Sequence, residues 1–183
     1  MGHSRRALLG SAAAGAAALA ACGRSAGTGH EAVKHLPPGV MRRDVAILGR
    51  ALELERRTVA AYTACIPLLS HDQAKTAEQF LNEELQHTGE LISLITAAGA
   101  KEAPRAASYE IGDPRDGPEV LTLLHALESL QIAFYLQWIP HLSPAPARAA
   151  VATILNVDAQ HIAVLRLARG KAPAPSAFVT GAE

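Results

Sequence analysis

Residues 54–70 read LERRTVAAYTACIPLLS and residues 127–143 read LESLQIAFYLQWIPHLS, and the two stretches agree at eight of seventeen positions. Leu54, Glu55, Ala60, Tyr62, Ile66, Pro67, Leu69 and Ser70 pair with Leu127, Glu128, Ala133, Tyr135, Ile139, Pro140, Leu142 and Ser143. With one inserted residue the register continues downstream, pairing Glu84 with Asp158, His87 with His161 and Leu91 with Leu165. Each copy holds a helix-length segment, a proline-marked turn and a second such segment. The chain is therefore read as a duplicated helical hairpin.

Periodicity around the repeat supports four helices. From about Asp44 to Leu69, Val45, Leu48, Leu52, Glu55, Val59, Tyr62 and Ile66 step by three and four, the core stripe of a packed helix. A second helix starts at the Ser70-x-x-Gln73 capping box, runs to about Ala98 and stops at Gly99, with stripe Ala77, Phe80, Glu84, His87, Leu91 and Leu94. Pro118 opens a third to about His141, with stripe Leu121, His125, Glu128, Ile132, Tyr135 and Ile139. The fourth spans about Pro146 to Arg169, closed by Gly170, with stripe Ala147, Val151, Ile154, Asp158, His161, Leu165 and Ala168. Alternating β-branched runs are absent, so the fold class is all-α, one four-helix domain over residues 41–170. An apolar content of 49% gives a chain of 183 residues a real core. The connection from Ala100 to Gly117 can span roughly 60 Å against about 42 Å for the second helix, which permits a crossover that sets the second and third helices parallel. Pro67 and Pro140 should end or kink the first helix of each hairpin.

All four stripes carry charge-capable groups at mid-length. Glu55 and Glu84 are equidistant from the turn between Leu69 and Ser70, and the same arithmetic about Ser143 sets Glu128 level with Asp158. His87 and His161 lie one turn further along the same faces. Four buried carboxylates without counter-charges would repel one another and cost several kcal/mol each in desolvation, whereas two divalent cations would neutralise them. No Lys or Arg lies in the stripes to do so.

In this order, Glu55, Glu84-x-x-His87, Glu128 and Asp158-x-x-His161, the chain resembles the ferritin-like di-iron and di-manganese carboxylate proteins over roughly residues 44–170. The resemblance implies a ferritin-like bundle of two hairpins with a long crossover. It also implies that Glu55 and His87 are end-on ligands of one metal and Glu128 and His161 of the other, with Glu84 and Asp158 bridging. Two iron ions, or alternatively manganese, would be the cofactor, and oxygen or hydrogen peroxide the small-molecule partner. The implied function is Fe(II) oxidation or peroxide consumption, a possible di-metal oxidoreductase; the alternative is a non-catalytic metal-binding or scaffold lipoprotein. The sequence departs from the family pattern at Asp158, one methylene shorter than the usual Glu.

His125 lies in its stripe near the level of His161, where the other half has Leu52, and is read as a hydrogen-bonding neighbour of a ligand, a ligand or a core histidine. Tyr62 and Tyr135 lie about 10.5 Å of helix rise from Glu55 and Glu128, too far to share coordination. With the halves packed head to tail, Tyr135 falls on the His87 side and Tyr62 on the His161 side, as hydrogen-bonding neighbours or aromatic filler. Glu53, Glu78, Glu83 and Glu90 lie off the stripes and are expected in solvent.

Residues 1–22, MGHSRRALLGSAAAGAAALAAC, read as an export signal: twin arginines, a short Ala- and Gly-rich apolar run, then a cysteine. The run is shorter than the roughly 20 residues a membrane span needs. Ser4-Arg5-Arg6-Ala7-Leu8-Leu9 resembles the twin-arginine signal for export of folded proteins, and Leu19-Ala20-Ala21-Cys22 resembles a lipobox. The resemblance makes Cys22 the lipidated first residue of the mature chain, on the outer face of the cytoplasmic membrane; plain cleavage near Ala21 is the alternative. Folded export would allow metal loading before secretion. Residues 23–40 suit a flexible spacer in which His30 and His35 are solvated, and only Cys65 remains, so no internal disulfide is available. Removing Arg5 and Arg6 from 17 basic and 17 acidic residues leaves 15 against 17, a balance that excludes nucleic acid as a partner. A tethered monomer or homodimer is expected rather than a storage cage, and in the tail, residues 171–183, Phe178 is the side chain suited to dock on the bundle.

Overall fold

The computed structural model describes residues 37–183. The leader with Arg5, Arg6 and Cys22, and the spacer histidines His30 and His35, lie outside the described residues. Four long helices follow in order: α1 (Pro38–Cys65), α2 (His71–Ala97), α3 (Gly117–Trp138) and α4 (Ala145–Ala168). The fold is all-α, as the stripes require. Among the described residues no helix is long and apolar enough to cross a membrane.

The repeat is visible in the way each hairpin turns. α1 and α3 both run out into a single 3-10 turn, Ile66–Leu68 and Ile139–His141, placed on Pro67 and Pro140, whose rings cannot continue an α-helix. At the start of α2 the Gln73 side chain accepts a bond from Ser70 N at 3.2 Å, and α3 opens on Asp116, whose carboxylate accepts from Glu119 N at 2.9 Å. α2 and α4 close at Gly99 and Gly170, where Ala100 N and Lys171 N reach back to Ile95 O and Arg166 O at 3.1 and 2.9 Å. α1 begins at Pro38, upstream of the Asp44 start expected from the stripe. Pro38 stands at the first helical position with φ already set, and Val40 N and Met41 N bond to Pro37 O at 2.9 and 3.0 Å.

The halves pack head to tail. α1 lies against α2 and α3 against α4 within hairpins; across the bundle α1 meets α3 and α2 meets α4. A Cβ on Gly117 at the start of α3 would lie 3.5 Å from Leu68 O and 3.6 Å from the Gln73 side chain, so α2 and α3 start at the same end and run parallel. At the other end Ser143 N donates to Asp44 at 3.2 Å and Arg43 donates to Ser143 Oγ at 2.7 Å. The crossover between α2 and α3 runs the length of the bundle along α1. Buried Arg56 donates to Ala103 O at 2.8 Å and pairs with Glu102, and Arg57 Nε donates to Glu110 O at 2.9 Å.

The core is divided. One apolar cluster holds Leu48, Leu52, Leu91, Ile95 and Val151; another holds Ala61, Phe80, Val120, Leu124 and Leu165. The polar layer lies between them. The tail corrects one expectation: Phe178 is 80% exposed, and docking falls instead to Gly181 and Glu183. Arg166 donates to Glu183 O at 2.6 Å, and Gly181 (φ +78°) lies so close to Ser129 O on α3 that a Cβ there would approach to 2.5 Å, room that only glycine leaves.

Candidate metal centre

Each helix delivers its mid-stripe group to one layer. Glu55, Glu84, Glu128 and Asp158, one per helix, are fully buried, and His161 and His87 are nearly so. Both imidazoles present Nδ1 to the carboxylates. His87 Nδ1 lies 3.6 Å from Glu55 Oε2, 3.5 Å from Glu84 Oε1 and 3.4 Å from Asp158 Oδ1. His161 Nδ1 lies 3.2 Å from Glu128 Oε1 and 3.4 Å from Glu84 Oε1. The structure thus brings together all six residues singled out from sequence. Ligand atoms of Glu84, Glu128, Asp158 and His161 all lie within 4.8 Å of one another, as do those of Glu55, Glu84 and His87.

The tyrosines cross between hairpins. Tyr62 on α1 donates to Glu128 Oε1 at 2.8 Å, and Tyr135 on α3 donates to Glu55 Oε1 in a short contact. Burial and the adjacent carboxylates push both phenols well above their ordinary range, so each stays a donor. Each tyrosine occupies one oxygen of its glutamate, and the other, Glu128 Oε2 or Glu55 Oε2, is buried without a hydrogen bond. His125 stands apart from both ligand groups. Burial, then Arg169 and Arg166 beside it, lower its pKa, and its Nε2 makes no hydrogen bond.

Three contributors were not read from the sequence. Glu83, expected in solvent, pairs with His161 Nε2 at 2.7 Å and accepts from Gln79 at 3.0 Å. Its position, one residue before Glu84, turns it about 100° around α2 toward α4, off the core stripe yet within reach of the imidazole edge. Gln131 Nε2 donates to Glu84 Oε2 at 3.2 Å, and its own Oε1 accepts from Thr58 Oγ1 at 2.9 Å. Thr58 and Gln131 are repeat mates, each three residues after its glutamate. The signal was present, but uncharged residues at stripe-flanking positions do not stand out.

The electrostatics of the layer follow from its burial and from the closeness of its carboxylates and imidazoles. Burial would depress His87, but contact with Glu55 and Glu84 lifts it to about 9; likewise Glu128 and Glu84 lift His161 to about 11 against its burial. Burial, then the negative neighbours, raise Glu55, Glu128 and Asp158, while contacts with His161 and His87 hold Glu84 below its ordinary range despite burial. Glu55 Oε2, Glu84 Oε1, Glu128 Oε2, both Asp158 oxygens and His87 Nδ1 are buried without a hydrogen bond. Orphaned groups of this kind cost about 1–3 kcal/mol each, more when charged, and these converge on one space. Four carboxylates and two imidazoles are a donor set that permits a pair of divalent metal ions. A cleft of about 400 Å³ between α2 and α4, lined by Gln79, Glu83, Gln86, Gln160 and both histidines, reaches this layer from outside.

An all-α bundle of two hairpins with a carboxylate-histidine layer at mid-length defines a class, and comparison with known proteins agrees. The sequence profile of the ferritin-like domain family matches residues 43–171, and the chain belongs to that family. Among solved structures, a conserved hypothetical protein from Mycobacterium tuberculosis shares the fold, with a TM-score of 0.68 and 20% sequence identity over 75% of this chain and 97% of that one. No curated protein sequence matches the chain.

Proposed function

We propose that the protein binds two metal ions, iron first and manganese as the alternative, between Glu55, Glu84, His87, Glu128, Asp158 and His161, and uses them for oxygen- or peroxide-dependent redox chemistry such as Fe(II) oxidation. The observation that carries this reading is the convergence of buried carboxylate oxygens without hydrogen bonds on a layer that also holds two histidines. When bound, such a metal pair supplies two one-electron steps, enough to take one peroxide to two waters. The chain's own part is to hold the ligands and keep the layer dry. Tyr62 and Tyr135 fix Glu128 and Glu55, Gln131 fixes Glu84, and Phe80 stacks on His161 with ring centroids 4.0 Å apart. Glu83 orients the His161 ring so that Nδ1 faces inward.

Elemental analysis of the metal-loaded protein, with absorbance followed as oxygen or peroxide is added to the Fe(II) form, tests this directly. Two bound ions and a rise in ferric absorbance are expected. A second reading, a non-catalytic metal reservoir or scaffold, is favoured by one observation: the short Asp158 side chain accepts no side-chain hydrogen bond. Two ions bound with no oxidation and no peroxide loss would select it.

The twin-arginine and lipobox-like segments support an exported lipoprotein, a monomer or homodimer held through Cys22 at the outer face of the cytoplasmic membrane. Cys22→Ala should abolish labelling by a radioactive fatty acid and release the protein from the membrane fraction; labelling that survives would contradict the anchor.

A further inference from the structure

We infer that the protein binds a small organic carboxylate in a cavity between α1, α2 and the crossover, where Arg56, Arg105 and Tyr109 take its charged end. The place is distinct from the carboxylate–histidine layer: Arg56 follows Glu55 directly, which turns it about 100° around α1 and away from the buried carboxylates. The inference therefore does not rest on the two-metal reading.

The cavity, about 330 Å³, falls at the lower end of the roughly 300–1,000 Å³ of small-molecule sites. Val59, Ala60 and Ala64 on α1 give it an apolar wall, and the crossover supplies Arg105 and Tyr109. Two buried donors in this lining have no acceptor, Arg56 Nε and the Tyr109 hydroxyl. Arg56 is 5% exposed, and its terminal nitrogens are already spent on Ala103 O and Glu102, so the Nε–H is held in place. Buried donors without acceptors are costly, and two in one cavity point to an acceptor that arrives from outside. The hydroxyls of Thr63 and Thr88, also in the lining, donate to Val59 O and Leu85 O at 2.7 and 2.8 Å. Donation to a ligand thus falls to Arg56, Tyr109 and Arg105.

Charge and shape select the ligand. Arg56 shares its charge with Glu102, whereas Arg105 makes no ion pair or hydrogen bond among the described residues. One unshared cation matches a single negative charge. A guanidinium fork, an Nε–H and a hydroxyl suit the two oxygens of a carboxylate, which together accept about four bonds. The apolar wall calls for a hydrocarbon body behind that head, which inorganic phosphate lacks.

The other hairpin fills the equivalent place with its own chain. Ser129 and Ala133 on α3 are the repeat mates of Arg56 and Ala60, and there a Cβ on Gly181 would lie 2.5 Å from Ser129 O and 2.8 Å from Ala133 Cβ. Arg166 holds that tail by donating to Glu183 O at 2.6 Å. On α1 the crossover passes over the same place and leaves the cavity.

Calorimetric titration of the full chain, stripped of metal, with sodium benzoate tests the site. One saturable site per chain is expected, weakened by added salt. Benzyl alcohol, which keeps the ring without the charge, and inorganic phosphate, which keeps charge without the ring, should each bind at least about 10-fold more weakly. Arg105→Gln, at an exposed position, and Tyr109→Phe, which loses one oxygen, should each weaken benzoate about 10-fold without unfolding the chain. Ala64→Trp, which fills the apolar wall, should block it. No saturable benzoate binding would overturn the inference, as would benzoate affinity unchanged in Arg105→Gln and Tyr109→Phe or retained in Ala64→Trp. Phosphate or benzyl alcohol binding as tightly as benzoate would overturn the assignment to an organic carboxylate.

Discussion

The Tyr62 hydroxyl on α1 donates to Glu128 Oε1 on α3 at 2.8 Å, tying one hairpin to a carboxylate of the other inside the buried layer. Tyr135 returns the same bond to Glu55. The pair follows from the head-to-tail packing of a duplicated unit. Tyr62→Phe leaves a fully buried carboxylate oxygen with one donor fewer, and the metal-free protein should lose about 1–3 kcal/mol in urea denaturation. Unchanged stability would mean that the bond contributes nothing.

Charged imidazoles hold the metal-free layer together, so its stability should vary with pH in a definite sense. His87 and His161 stand at about 9 and about 11 against an ordinary 6.5. A raised value means that the folded state holds its proton more tightly; the contribution is complete below 6.5 and is lost as pH climbs through 9 and then 11. Glu55, Glu128 and Asp158 are raised as well and act in the same sense; Glu84, held low, opposes them only in acid, where its contribution is lost. The urea midpoint of the metal-free protein should fall between pH 6.5 and 9, and loading with divalent metal should flatten that fall. A midpoint independent of pH in this window would contradict the assignment.

Asp158 separates stability from function. Burial and three neighbouring carboxylates disfavour its charge, so a neutral isostere costs the metal-free fold little. Asp158→Asn should hold or raise metal-free stability at pH 8 by about 1 kcal/mol, while reducing the metal retained after dialysis. Loss of stability with metal content unchanged would show that the residue is structural.

Arg56, beside Glu55 in sequence, faces away from the layer and clamps the crossover through Ala103 and Glu102. Arg56→Ala should cost about 1–3 kcal/mol and speed hydrogen exchange in residues 101–111. Exchange unchanged there would mean that other contacts hold the crossover.

The helices were legible because each has one apolar stripe at helical spacing, and the hairpins because Pro67 and Pro140 recur at the same distance from a glutamate. The six layer residues could be read because charged groups in an apolar stripe are costly and therefore conspicuous. Glu83 escaped because, taken alone, a glutamate off the stripe looks like a surface charge; only the approach of α4 gives it a partner. Gln131 and Thr58 escaped because neutral polar residues near a core face are unremarkable until their bonds are seen. The start of α1 at Pro38 lies beyond the stripe, where backbone geometry rather than burial sets the boundary.

Metal content tests the central claim most directly. The full chain, stripped of metal, loaded with Fe(II) without oxygen and freed of excess, should hold two ions by elemental analysis and unfold at a higher temperature than the stripped form. His161→Ala should lower both the content and the stabilisation. A protein that holds no metal at any loading, and unfolds at the same temperature with and without it, would contradict the account.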